Sequence, residues 1–369
     1  MSPARFKQVV PLDKLVSNIE TLIAETKKLD RDLQRMMRLS DLQSLRTVVE
    51  WLSGDAVSYV QLVEGIFGIT PSKFSTRQIR TAQEKVEVAS RHISGSNLSE
   101  KVMKWREESK ISGEALKKMI QSDVVKRTEE IRRLFEKHVF PHLSIKVKNN
   151  GVIYKTAKGE PWTGYNYYQG NYTSFNALNV DRSFNKYRLI AVLCHEYEHH
   201  VANIFAERYY RINKALDMSV ALLHTKGSII NEGTADCARE FLSLPSPEHG
   251  ELVESLNMLG SIIGLNAAYM LNVEGSDDES AAEYVSSETF VSMEEARKSI
   301  SFYKPTTANG KPNFFKPYVY TYYFGRKDYV LPTFLKARKK EKLDDFFRVL
   351  YLNPYCRSSA TWETAFRKI

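Results

Sequence analysis

Apolar residues recur at steps of three and four from Leu12 onward, with Leu15, Val16, Ile19, Leu22, Ile23, Leu29 and Leu33 on one side. That spacing predicts an amphipathic helix. Ser40-Asp41 and Gly54 bracket a second helix, and Gly68 to Ser75 (GITPSKFS) breaks the chain before a third. A further helix opens near Ser112-Gly113 and runs to Phe140, where Pro141 stops it. The first 140 residues therefore read as helical throughout, a layer or wall beside whatever follows.

From His142 the pattern changes. LSIKVKNNGVIYKT alternates apolar and polar positions around Asn149-Asn150-Gly151, a hairpin signal. GYNYYQGNYTSFNALNV, rich in Tyr and β-formers, predicts one or two more strands. Ser183 then opens a long helix through CHEYEHH, and SIINEGTADCAREFLSL predicts another. After Pro245-Ser246-Pro247 come more helices, an acidic loop (GSDDES), a loop at TTANGKPN and the aromatic segment FFKPYVYTYYFGRKDY. The expected class is α+β and predominantly helical. A small mixed or antiparallel sheet lies beside the long helix, with a helical region over 1–140 and the chemistry in 141–369.

Composition narrows this picture. The 369 residues are 43% hydrophobic, as in a globular chain with a sizeable core. The net charge is +9, but Lys and Arg are interleaved with Glu and Asp, so no nucleic-acid partner is expected. Three cysteines and no CxxC pair point to a reducing compartment, and the MSPARFKQVVPLDK start lacks the apolar run of a signal peptide. The most apolar stretch, Leu256 to Leu271, falls short of a bilayer span and reads as a core helix packed through Gly260 and Gly264. The expectation is a cytoplasmic protein without a membrane partner.

His195-Glu196-Tyr197-Glu198-His199 is an HExxH in a chain with only eight histidines. Four residues make just over one helical turn, so both imidazoles leave one face and can meet one ion. Glu196, displaced around the helix, can take a proton from a metal-activated water. Leu189 to Leu193 upstream are apolar, so this helix is buried, and buried His and Glu demand partners. Glu198 projects off the ligand face toward solvent or a basic neighbour, and His200 points off it as well. Glu232, in Ile229 to Asp236, can supply a third ligand, and Asp236 one turn later can accept the second N–H of a ligand imidazole. Cys194 and Cys237 read as small buried residues. His224 has no spacing that ties it to the motif, and Arg239 and Arg326 read as ion-pair partners.

HExxH followed by NExxxD resembles the gluzincin zinc metallopeptidases, typified by thermolysin, over about fifty residues from Leu189 to Glu240. The resemblance implies one Zn2+ held by His195, His199 and Glu232, with Glu196 as general base. Asp236 and Asn231 would lie in the surrounding shell, and the substrate would be a peptide or protein. The substrate-anchoring run of the related zinc aminopeptidases has no counterpart here. Gly233 to Asp236 also resembles the start of the aspzincin GTxD motif, in which the Asp is the third ligand. Enzymes of the first clan run an exposed edge strand along the cleft, for which Tyr172 to Val180 is the candidate. Several place a tyrosine from a late helix at the oxyanion. Among Tyr318, Tyr320, Tyr322 and Tyr323, Tyr322 is the choice, with Gly325 allowing close approach. Two other readings stay open: an inactive, metal-stabilised binding scaffold, or a basic helical nucleic-acid-binding protein in which HExxH is accidental.

Overall fold

Side-chain caps set the helix starts in the N-terminal region of the computed structural model, which describes residues 11–160, 162–220, 222–244 and 248–369. The N-terminal decapeptide and Pro245-Ser246-Pro247, both used above, lie outside the described residues. Helix α1 (Leu12–Thr26) ends before Leu29, because Asp32 accepts from Arg35 N and opens a new helix, α2 (Leu33–Leu52). The second helix thus begins seven positions before the expected Ser40. Ser58 with Gln61 and Ser75 with Gln78 form capping boxes that open α3 (Tyr59–Phe67) and α4 (Thr76–Ala89). Between them Gly68 closes α3 in the left-handed region, φ 69°.

Helix α5 (Leu98–Ser109) leads into the two-residue strand β1 (Lys110–Ile111). Helices α6 (Gly113–Met119) and α7 (Val125–His138) follow, joined by a π turn. One contiguous core draws on both sides of residue 140, from Val48 and Leu62 through Phe135 to Tyr197, Phe241 and Phe346.

Strands β2 (Val152–Ala157), β3 (Gly164–Gly170) and β4 (Thr173–Asn179) form a mixed sheet in the order β2-β4-β3. β3 and β4 make the hairpin, while β2 pairs with β4 in parallel. Two expectations fail here. Asn149-Asn150-Gly151 is not a hairpin, because the Asn149 side chain is committed to α8 (Leu189–Asn213): it donates to Tyr197 Oη at 2.9 Å and lies 2.9 Å from His200 Nε2. β4 is the central strand rather than an edge, because β2 covers its second side. The open edge beside the HExxH helix belongs to β3.

The short β5 (Phe184–Asn185) pairs with β1 and occupies the expected helix start, so α8 begins at Leu189 rather than Ser183. Next come α9 (Lys226–Asp236) and α10 (Ala238–Phe241). Helix α11 (Gly250–Tyr269) continues through a π turn to Glu274. Extended in this way, Gly250–Glu274 is long and apolar enough by length and composition to cross a membrane, contrary to expectation. More than half of its most apolar window, 56%, is buried inside the protein. Gly264 lies against Tyr303, whereas Gly260 touches nothing and packs no partner.

The chain ends with α12 (Asp278–Thr289), α13 (Met293–Ile300), α14 (Val319–Phe324), a π turn (Gly325–Val330), α15 (Leu331–Lys339), α16 (Leu343–Leu352) and α17 (Trp362–Phe366). The architecture is predominantly helical α+β.

Candidate metal centre

Helix α8 brings His195 and His199 to one face, and α9 crosses it so that Glu232 meets both rings. His195 Nε2 lies 3.1 Å from His199 Nε2 and 3.2 Å from Glu232 Oε2, and His199 Nε2 lies 3.7 Å from Glu232 Oε1. Ligands ~2.1 Å from a tetrahedral zinc stand about 3.4 Å apart, so this spacing fits one ion. On the far side of its ring, His195 Nδ1 is 2.8 Å from Asp236 Oδ1, an acceptor, so Nδ1 carries the proton and Nε2 turns its lone pair inward. Three electron-rich atoms therefore converge on one point.

A second observation agrees. Glu232 Oε2 and Glu196 Oε2 are buried and receive no hydrogen bond. Buried carboxylate oxygens without a donor are costly, and a cation or its coordinated water removes that cost.

The electrostatics of the protein groups alone follow the same geometry. Burial opposes charge on His195, but the neighbouring Asp236 and Glu232 carboxylates outweigh burial and favour the charged ring, well above its ordinary value. Burial alone would raise Glu232, yet His199 and His195 pull it well below the usual carboxylate range. Glu196 moves the other way. Burial raises it above an ordinary carboxylate, only partly offset by the two histidines.

The approach of α9 to the C-terminal helices depends on two glycines. A Cβ on Gly325 would stand 2.0 Å from Ile229 O, and one on Gly233 would stand 2.3 Å from the Gly325 carbonyl carbon. Backbone meets backbone there, which brings Tyr318, at the start of α14, and Tyr322 within it to the His195–Glu232 cluster. Tyr318 Oη donates to Glu232 Oε1 at 2.8 Å. The Tyr322 ring is 6.4 Å from that of His195, and its hydroxyl makes no hydrogen bond among the described residues. Tyr320 packs on Tyr59 and Tyr323 on Phe74, both away from the centre. At the entrance, Gly164 at the start of β3 faces Glu196: a Cβ would stand 2.6 Å from Glu196 Oε1.

The remaining sequence candidates have structural partners. Glu198 is fully buried and meets a basic neighbour rather than solvent. Arg357 NH2 lies 3.3 Å from its Oε1, and Tyr351 Oη donates to the same atom at 3.1 Å. Asn231 accepts from Arg357 Nε at 3.1 Å, so its link to the centre runs through that arginine. His200 is buried against Ser174 and Asn149, and burial pushes its ring down to about 4. His224 lies 2.9 Å from Phe314 O through Nε2, off the ligand cluster. Arg326 pairs with Glu240 at 2.7 Å and donates to Asp236 O. Cys194 and Cys237 are buried. Sequence reasoning did not single out Arg357, whose link to Glu198 spans 159 positions and leaves no local signal.

No protein-family model matches the chain. No curated protein matches it either. A solved structure does: the "putative lipoprotein from Colwellia psychrerythraea", with a TM-score of 0.59 and 16% sequence identity. The match covers 95% of this chain and 65% of that one, so this chain spans just under two-thirds of the solved protein. At that identity the likeness concerns the fold alone.

Proposed function

We propose that the protein is a zinc-dependent metallopeptidase hydrolysing peptide bonds, with Glu196 as general base. The observation that carries the reading is the convergence of His195 Nε2, His199 Nε2 and Glu232 on one point, beside a Glu196 oxygen with no donor. A structural metal site closes with four protein ligands, whereas a catalytic one keeps a position open. Three are found here among the described residues.

His195, His199 and Glu232 would hold the ion, which supplies Lewis acidity for the scissile carbonyl and for water. Glu196 Oε2 takes the proton of the attacking water and passes it to the leaving nitrogen. The Tyr322 hydroxyl, without a hydrogen bond among the described residues, donates to the developing oxyanion. The open edge of β3, beginning beside Glu196 at Gly164, pairs with the backbone of an extended substrate. Asp236 fixes the His195 tautomer and Tyr318 orients Glu232.

Three free buried cysteines accord with the reducing, cytoplasmic setting expected from the sequence, and the structural neighbour's printed description lends that setting no support.

Elemental analysis of the purified protein, paired with hydrolysis of a mixed peptide library by wild type and Glu196→Gln, tests the reading. One zinc per chain in both proteins is expected, with turnover lost in the variant by about 10²–10⁴-fold. Failure to bind zinc when it is supplied would sink the proposal.

A further inference from the structure

Upstream of the motif, Arg188 stands seven positions before His195. That is about two turns of helix and roughly 10 Å along the axis, so both side chains leave the same side. Arg188 is exposed and makes no ion pair and no side-chain hydrogen bond among the described residues. Its guanidinium is nonetheless crowded by protein: burial lowers its pKa, and Asp236 only partly offsets this. Arg188 thus stands at the surface on the side of α8 that carries His195. The cleft opens on this side, since the Asp236 side chain keeps 31% of its surface while Glu232 keeps 8%. Asp236, whose Oδ1 is 2.8 Å from His195 Nδ1, acts on the arginine through space but forms no ion pair with it.

A second cation stands behind the first. Arg106 on α5 is half-buried, its NH2 donates only to Thr289 O at 3.3 Å, and its Nε is buried without a partner. Arg106 and Arg188 repel each other, and Glu295, the acid facing Arg106, also lies near Lys110. Two arginines without an ion pair among the described residues, beside the positive end of a 25-residue helix, keep donors available for an anion.

We propose that Arg188, backed by Arg106, forms a carboxylate-binding subsite of the metal cleft that anchors a peptide substrate within about three residues of the scissile bond. The reach follows from the roughly 10 Å offset and the ~3.3–3.6 Å spanned by each extended residue. The proposal rests on the peptidase reading and deepens it by naming the substrate class. The carboxylate is either the chain terminus, making the enzyme a carboxypeptidase of short reach, or an Asp or Glu side chain.

The test uses zinc-loaded protein carrying Glu196→Gln to prevent turnover, immobilised and offered N-acetylated tripeptides. These come as C-terminal acids or amides, each with and without one acidic side chain, and the retained peptides are read by mass spectrometry. Retention of acids over amides by at least ~10-fold would identify the terminus as ligand, and equal preference for acidic side chains in the amides would identify the side chain. Either preference should vanish when Arg188→Met is added, at unchanged zinc content, and return in part with Arg188→Lys. Retention of all four peptide classes alike, or a preference that survives Arg188→Met, would overturn the subsite while leaving peptide binding intact. Retention of no peptide at all would remove both the subsite and the peptidase reading.

Discussion

The Tyr318 hydroxyl donates to Glu232 Oε1 at 2.8 Å, while one turn later Tyr322 leaves its own hydroxyl uncommitted beside His195. Tyr318 at the start of α14 and Tyr322 within it thus differ in their partners, and separate measurements test a different task for each. Tyr318→Phe should weaken zinc binding by about 10–100-fold, because the ligand carboxylate loses the donor that orients it. Tyr322→Phe should leave zinc affinity within about twofold and lower kcat by roughly 10²-fold or more, as expected for an oxyanion donor. Chelator competition reports the first and steady-state kinetics with saturating zinc the second. An unchanged kcat in Tyr322→Phe would remove that residue from the mechanism.

Arg357 ties Glu198 on α8 to Asn231 on α9, the helices that carry His195, His199 and Glu232. Replacing it by Met strands a fully buried carboxylate, and urea unfolding should show a loss of about 3–5 kcal/mol. Pairing Glu198→Met with Arg357→Met should recover most of that loss, since two apolar chains demand no charge compensation. Two single losses that simply add would argue that the ion pair carries no coupling.

Gly325→Ala places a methyl group 2.0 Å from Ile229 O, a backbone atom that cannot rotate away. Alpha-nine must move off the C-terminal helices, so stability should fall by about 3 kcal/mol or more, and zinc affinity with it. Gly260→Ala, at a position with nothing within 4 Å, should be neutral or mildly stabilising. Thermal melts of the two variants side by side check the contrast.

Stability should also depend on pH through His200 and His224, both buried and both held down to about 4 by burial. Their folded-state values lie below the ordinary 6.5, so below that pH the unfolded chain binds more protons. The contribution of each neutral ring is complete above about pH 6.5 and is lost as pH falls toward 4, on the order of 3 kcal/mol per ring. Denaturant midpoints between pH 7 and 4.5 should fall accordingly, and His200→Gln should flatten the slope. A flat profile for the wild type would show that the rings are not buried neutral.

Much of the centre was legible because its signals are local. The apolar run before His195, the four-residue spacing of its histidines and the Glu232–Asp236 pair all lie within single helices, where sequence spacing equals spatial spacing. What could not be read depends on distant partners. Tyr172 to Val180 has the pattern of a strand, but whether it forms an edge is decided by β2, which arrives in parallel from an earlier segment. Asn149-Asn150-Gly151 has turn chemistry, yet Tyr197 and His200 claim its first side chain. A charged Glu198 inside the motif is unusual by sequence and becomes ordinary once Arg357 is beside it. Tyr322 could be chosen from its place before Gly325, but that Tyr318 also reaches the cluster through Glu232 became visible only in the folded chain.

The Arg357 bridge also has a consequence for the order of events during synthesis. His195, His199 and Glu232 have all been made once residue 232 is added, but the arginine that joins their helices follows far downstream. A nascent polypeptide halted before it would carry every ligand while Glu198 lacked its counter-charge. The pairing of α8 with α9 thus draws on a side chain far downstream of His195, His199 and Glu232, so the spacing of those three depends on a segment made well after them.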